Sequence, residues 1–273
     1  MAQNNKIPVL MYHEVIGEME LADKLSYRMT PGYFMPIEKF ETQVKLLADR
    51  DYKGIDFSSL PEKGDDGKYG IITFDDGWAG NFSRALPVLK KYGFKAVFFI
   101  TVGFIGSEGY MGWGEVNKLL AEGMSIQSHG MTHRPLQTLG AKDILYELQE
   151  SKRIIEKQTG QKVSAFSFPH GSFDDKILDS AARSGYRVVC SSELRPSYIS
   201  SFNGRFSVIG RITMNSEIEH HTFIKLINFD RKVVFKEQFI KSSKNILKRT
   251  IGINNYRKLY RKYFNIETPD EIQ

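Results

Sequence analysis

Three short segments carry residue types that can do chemistry. The first is Thr73-Phe74-Asp75-Asp76-Gly77, where two carboxylates leave an apolar stretch and Gly77 permits a sharp turn. Adjacent aspartates repel and resist desolvation unless a cation or a proton separates their roles. Alone, the pentapeptide also fits an Asp-Asp-Gly turn on a solvated loop. The second is His129-Gly130-Met131-Thr132-His133. Two imidazoles four residues apart can face one ion from a helical turn or a compact loop, although such a pair is also often structural. With one carboxylate they make a facial set that leaves positions for water and substrate. The third is Phe166-Ser167-Phe168-Pro169-His170-Gly171, where Pro169 and Gly171 bend the chain and can leave the His170 N–H facing outward. By itself it reads equally well as an ordinary strand-ending turn.

These segments need a scaffold, and the pattern from residue 7 to about 212 supplies one. Apolar runs at Pro8–His13, Ile71–Phe74, Ala96–Thr101, Met124–Ser128, Ser164–Phe168, Tyr186–Cys190 and Ser207–Ile212 read as buried strands. Between them lie amphipathic stretches. Ile37, Phe40, Val44 and Leu47 recur at helical spacing, and further helices are predicted at Asn81–Tyr92, Trp113–Glu122, Lys142–Gln158 and Asp174–Ser184. Gly123, Gly160 and Gly185 stand where helix C-caps belong. Alternation of strand and helix implies parallel pairing, in an open sheet or a closed barrel. All three chemical segments then follow strand carboxyl ends and converge on one rim.

Of 273 residues, 41% are hydrophobic and 26% charged, which supports a sizeable core and excludes a disordered chain or a collagen-like repeat. Cys190 is the sole cysteine, so no intramolecular disulfide is possible; it reads as a small buried hydrophobe. The longest strongly apolar run, Ala96–Gly106, is well short of the roughly 18–20 residues that cross a bilayer. The early apolar run Ile7–Tyr12 is too short for a secretory leader and has no small-residue cleavage site after it, so a cytoplasmic location is expected.

Taken together, the motifs resemble the polysaccharide deacetylase family, the NodB-homology esterases of carbohydrate esterase family 4. The resemblance covers most of residues 7–212 and includes Thr-Phe-Asp-Asp-Gly, His-x-x-x-His and Phe-x-x-Pro-x-Gly in the family's order. Val9-Leu10-Met11-Tyr12-His13, Phe40–Tyr52, Ala85–Ile100 and Gly185-Tyr186 match as well. The opening Met-Tyr-His resembles the branch acting on surface polysaccharides, including poly-N-acetylglucosamine deacetylases. The resemblance implies a distorted (β/α) barrel of about seven strands and a metal-dependent N-deacetylase of an amino-sugar polysaccharide or lipid-linked glycan. It makes Asp75 the general base and Asp76, His129 and His133 the ligands of a divalent ion, most simply zinc. It places a backbone N–H at His170 beside the reaction's oxyanion.

Departures from the family pattern matter here. Many members carry an arginine in the third motif that orients the base; this chain has Ser167. An aromatic residue usually precedes the motif's glycine, and this chain has His170. No Leu-x-His segment follows to supply the usual acid, since the late strand reads Ile209-Gly210-Arg211-Ile212. His13 is the substitute acid, with a core histidine as the alternative. A hydrolase of O-acetyl groups or small cyclic amides, or a catalytically silent glycan-binding relative, are the other readings.

Charge divides the chain into a barrel over residues 1–224 and a basic extension over 225–273. Twelve Lys or Arg between Lys225 and Lys262 face only Asp230 and Glu237, so that segment carries +10 of the net +6 and the rest carries −4. Tyr256, Leu259, Tyr260, Tyr263 and Phe264 fall at helical spacing among basic residues, and Phe239, Ile240, Ile246 and Leu247 suggest a second amphipathic helix. Packing of both on the barrel is one expectation; peripheral contact with the inner face of an anionic membrane is the other. No nucleic-acid-binding module accompanies the charge. His220 and His221 lie in a polar run with no partner motif.

Overall fold

The computed structural model describes residues 6–17, 34–59, 65–198 and 206–251. Strand β1 (Lys6–Ile7) leads into β2 (Val9–Tyr12) and, past His13, into β3 (Glu14–Ile16). β4 (Phe34–Pro36) lies parallel to β3 and runs into α1 (Ile37–Ala48), which is followed by β5 (Tyr52–Gly54). Strands and helices then alternate. β6 (Lys68–Phe74) is followed by a π-helical turn (Asn81–Ala85) and α2 (Leu86–Tyr92), then by β7 (Ala96–Ile100), α3 (Trp113–Ala121) and β8 (Ser125–Ser128). α4 (Ala141–Leu145) joins α5 (Ser151–Thr159) through a second π-helical turn (Tyr146–Glu150), ahead of β9 (Ala165–Ser167), α6 (Asp175–Arg183) and β10 (Val188–Cys190). β11 (Ser197–Tyr198) pairs antiparallel with β1, and β12 (Ser207–Ile209), β13 (Ile212–Thr213), α7 (His220–Ile227) and α8 (Arg231–Ile251) complete the described chain.

The main sheet is parallel, in the order β12-β10-β9-β8-β7-β6-β2-β13, with β5 paired on β6. Its two outermost strands are consecutive in sequence, separated only by Gly210 and Arg211. Laid flat, eight strands at ~4.8 Å spacing would hold those edges roughly 34 Å apart. Three Cα steps span at most ~11 Å, so the sheet must roll until its edges meet. The result is a distorted (β/α) barrel; with β12 and β13 taken as one bent stave, it has seven. The expected single strand Ser207–Ile212 is thus corrected to two short ones, broken where the barrel closes. Gly210 is required at the break: a Cβ there would lie 2.2 Å from Arg195 Cγ and 2.6 Å from the Glu193 carbonyl oxygen.

Strand alternation explains what fills the barrel. Val9, Ile71, Val97, Phe99, Ala165, Val188, Cys190 and Ile209 form an interior apolar cluster, and Cys190 is fully buried there. Continuing the same period toward the carboxyl ends gives His13, Asp75, His129, Ser167 and Arg211. The interior therefore changes from apolar to polar and ionisable toward the carboxyl ends of the strands. A second, larger cluster packs Phe40, Val44 and Leu47 of α1, Leu89 of α2, Val116 and Leu119 of α3 and Ile155 of α5 against the outside of the sheet.

α7 crosses residue 224 and buries Phe223, Leu226 and Ile227 in that outer cluster. In α8, Val233 and Val234 rest against the same core, whereas Phe235 and Phe239 are 71% and 65% exposed. Expected packing of the whole apolar side of this helix on the barrel is thereby corrected: one part of it faces outward. The helix expected at Tyr256–Phe264 lies outside the described residues.

Candidate active site

Asp75 and Asp76 sit just past β6 and are both buried. The chain turns sharply there, with Asp76 at φ 76° and Gly77 at φ 93°. A left-handed aspartate costs energy that the surrounding structure must offset, a feature typical of functional turns. The turn splits the two carboxylates, sending Asp75 into the barrel and Asp76 toward the rim.

His129 follows β8 and is buried; its Nδ1 lies 2.7 Å from the Ser167 carbonyl oxygen. A carbonyl only accepts, so Nδ1 carries the proton and Nε2 presents its lone pair to the site. That lone pair is 3.4 Å from Asp76 Oδ1, and His133 Nε2 is 3.1 Å from the same oxygen. The loop carrying both histidines is compact and not helical, and Glu147 pins it. Glu147 Oε2 accepts from the N–H groups of Met131 at 2.6 Å and Thr132 at 3.0 Å, and Oε1 accepts from the Thr132 hydroxyl. Gly130, at φ 88°, makes room: a Cβ there would lie 2.8 Å from Glu147 Oε2. Glu147 is itself buried on the π-helical turn. Its trace in the sequence is an acid three residues after Ile144, on the apolar stripe of the predicted helix.

Asp76, His129 and His133 each offer one donor atom, all within 4.8 Å of one another. Asp76 Oδ1 is buried and makes no hydrogen bond, while Oδ2 accepts from Trp78 Nε1 at 3.1 Å. An orphaned carboxylate oxygen facing the Nε2 atoms of two imidazoles is a donor set that fits a divalent cation. Burial would raise the Asp76 carboxyl, yet hydrogen bonds and charge from His129, His133 and His13 in their protonated forms outweigh that and hold it well below the usual carboxylate range. A cation would take over that part where the imidazoles present lone pairs instead.

Arg211 completes the site, a role that its place in the apolar stretch Ser207–Ile212 does not reveal. Nη1 lies 2.7 Å from Asp75 Oδ1 and Nη2 2.8 Å from Oδ2, a bidentate pair with both partners buried. Its remaining donors reach the Ser167 hydroxyl at 2.8 Å, the Thr73 hydroxyl at 3.1 Å and the Ser191 carbonyl at 3.1 Å. Ser167 also donates to Asp75 Oδ2 at 3.0 Å. Burial pushes the Asp75 carboxyl up, but Arg211 and His129 more than offset it, and its pKa lies below the ordinary value.

His13 stands one residue beyond β2, which pairs in register with β6, so it adjoins the aspartate turn. Burial lowers its pKa, against the opposing pull of Asp76 and Asp75. His170 sits at φ 60° in a 3-10 turn (Pro169–Gly171), with its ring 4.9 Å from that of His133. A Cβ on Gly171 would lie 2.1 Å from Ser192 Oγ, which ties this turn to the loop after β10. Beside the metal-binding set runs an aromatic wall: Trp78 stacks on Tyr110 at 4.3 Å, Tyr110 meets Phe104 at 4.8 Å, and Phe104 lies 5.8 Å from the His133 ring. The structure thus brings Asp75, Asp76, His129, His133, His13 and His170 to one rim. His220, by contrast, starts α7 and belongs to no metal-holding group among the described residues.

A parallel, rolled sheet with paired aspartates and two histidines at its carboxyl rim has the architecture of a NodB-type barrel. Comparison with known proteins agrees. A family model described as polysaccharide deacetylase matches residues 62–189. YxkH of Bacillus subtilis (strain 168), whose name assigns it to the polysaccharide deacetylases, is 30% identical over 193 residues, 69% of this chain and 65% of its own length. The chain thus spans just under two thirds of that relative. A poly-beta-1,6-N-acetyl-D-glucosamine N-deacetylase of Staphylococcus aureus (strain MRSA252) is 25% identical over 213 residues, covering 70% of this chain and 73% of the relative. Among solved structures, the Streptococcus pyogenes deacetylase PplD, in complex with acetate, superposes with a TM-score of 0.69 at 25% identity, over 81% of this chain and 98% of that one. Residues 62–189 carry a polysaccharide deacetylase domain, and the resemblance read from the motifs holds there.

Proposed function

We propose that this protein removes N-acetyl groups from an amino-sugar polysaccharide or lipid-linked glycan, releasing acetate, and that it needs a divalent metal to do so. The observation that carries the reading is the division of labour between the two aspartates. Asp75 is locked to Arg211, while Asp76 offers an orphaned oxygen to His129 and His133. Asp76, His129 and His133 would hold the ion, zinc being the simplest choice for one oxygen and two nitrogen donors. Once bound, such an ion acidifies water and polarises the acetyl carbonyl.

The chain's own residues do the rest. Asp75 stays ionised beside Arg211 and accepts the proton of the attacking water. Arg211 and Ser167 fix the carboxylate so that it cannot swing onto the ion. The resemblance assigns the oxyanion contact to the His170 N–H; in the same turn Pro169 has no N–H and that of Gly171 already donates to the Phe168 carbonyl at 2.8 Å. His13 delivers a proton to the departing amine. Trp78, Tyr110 and Phe104 supply an apolar flank for a sugar ring. Two departures favour a silent binding relative, the arginine missing from the third motif and the unsettled acid, and Arg211 answers the first of them.

Acetate release from β-1,6- and β-1,4-linked N-acetylglucosamine oligomers tests the proposal, with bound zinc measured in parallel. The wild type should release acetate, and Asp75→Asn should lose turnover by a factor of about 10²–10⁴ while keeping its metal. Release that is unaffected by Asp75→Asn, or by stripping the metal with a chelator, would sink it.

A further inference from the structure

We propose that the outward face of α8 docks this protein on an anionic membrane surface. At ~100° per residue, Arg231, Phe235, Phe239, Lys232 and Lys236 fall on one arc of about 140°, and all five are exposed. Ser242 and Ser243 share the arc, which contains no acid. Glu237, the one acid of the helix, lies half-buried on the opposite side with Val233, Val234 and Ile240. A single exposed phenylalanine is ordinary on a protein surface. Two of them one turn apart, 71% and 65% exposed and bracketed by three cations, form a different pattern. Such a face suits the boundary between lipid headgroups and acyl chains, the rings entering the boundary and the cations meeting phosphates.

Charge complementarity selects this occupant, three exposed cations and no acid facing anionic headgroups. No described helix is long and apolar enough to cross a membrane. α8 is also fixed relative to the catalytic rim. Gln238 Nε2 donates to the Leu194 carbonyl at 2.8 Å, on the loop that follows β10. That same loop accepts from Arg211 through the Ser191 carbonyl and abuts Gly171 through Ser192. A protein docked through α8 therefore holds its rim close to the surface. The corollary, that the substrate is a glycan displayed at a membrane, rests on the proposed deacetylation; the docking itself does not.

Vesicle flotation tests the docking. The full chain is mixed with phosphatidylcholine vesicles, with and without phosphatidylglycerol, and compared with F235S/F239S and K232E/K236E. All four positions are exposed, so thermal melting of both variants should match the wild type. Truncation at residue 224 is unsuitable because it removes Leu226 and Ile227 from the core. Wild type should float with the phosphatidylglycerol vesicles only, and each double variant should bind about tenfold more weakly or worse. No flotation by the wild type overturns the proposal, as does equal flotation by all three proteins. Loss in K232E/K236E alone, with matching loss of heparin binding, overturns it in favour of a soluble polyanion as the ligand.

Discussion

Arg211 holds Asp75 through two parallel hydrogen bonds, 2.7 Å to one carboxylate oxygen and 2.8 Å to the other, from the seam where the barrel closes. The third motif, which in many relatives brings an arginine to the base, here brings Ser167, and its hydroxyl bonds to both members of the pair. Arginine at 211 and serine at 167 are two halves of one arrangement. A second long side chain from β9 would compete for the space that the guanidinium fills.

Replacing Arg211 with Gln should therefore do more than remove a charge. Breaking a buried pair costs about 3–5 kcal/mol, or a melting drop of some 2–4 °C per kcal/mol for a chain this size. In the wild type the depressed pKa keeps Asp75 ionised and its contribution intact above the unfolded carboxylate value; that contribution is lost as pH falls through the folded value. Without Arg211, the dominant effect left on Asp75 is burial, which raises its pKa. The acid limb of kcat/KM should move to higher pH, a change that loss of stability alone does not produce. S167R/R211S, which returns the arginine to the third motif, should recover part of the lost activity and restore the acid limb. An unmoved pH profile in Arg211→Gln would leave Arg211 a structural residue only.

Glu147 offers a separate handle on the metal-binding loop. It touches no proposed ligand, yet it fixes the backbone between His129 and His133 through Met131 and Thr132. Supporting residues of this kind are worth roughly 10–100-fold in metal affinity. Glu147→Gln should weaken zinc binding within that range, and excess zinc should restore turnover. His129→Ala, which removes a proposed ligand, should resist such rescue. Zinc titration of the three proteins measures the difference.

Much of this was legible in the sequence because strand ends in a parallel barrel share one rim. Asp75, Asp76, His129 and His133 could be located from apolar runs ending in polar motifs, and helix C-caps at Gly160 and Gly185 marked where each repeat of the alternation closed. Arg211 was not legible. It lies in an apolar stretch that reads as one strand, and its partner is 136 residues away. Only closure of the barrel, which depends on the edge strands meeting, brings the two together. Glu147 escaped for a related reason: helical periodicity shows that it faces inward, but not which loop it meets.

His13 is the residue whose chemistry is most exposed to test. As the proton donor to the leaving amine, it should matter to kcat and hardly to substrate or metal binding. His13→Gln keeps a polar side chain of similar reach. It should lower kcat by about 10²–10⁴, with KM and zinc content within a factor of about two. Loss of zinc in this variant would instead make His13 part of the metal set, and the acid would have to be sought elsewhere.

The barrel seam itself makes the last prediction. Gly210 lets β12 turn into β13 while passing against the Glu193–Arg195 loop, where a Cβ would be 2.6 Å from the Glu193 carbonyl oxygen and 2.2 Å from Arg195 Cγ. The arginine side chain can swing aside, but the carbonyl belongs to backbone held in the loop that also accepts from Arg211. Gly210→Ala should therefore cost about 1–3 kcal/mol, the usual range for overpacking, and Arg195→Ala in the same chain should relieve only part of it. Because Arg211 is the next residue, any shift of the seam is felt at Asp75, and a misplacement of ~1 Å can cost about 10²-fold in rate. Gly210→Ala should then lose activity at temperatures where circular dichroism shows it fully folded. Full activity in the folded variant would mean that Arg211 holds Asp75 without help from the geometry of the seam.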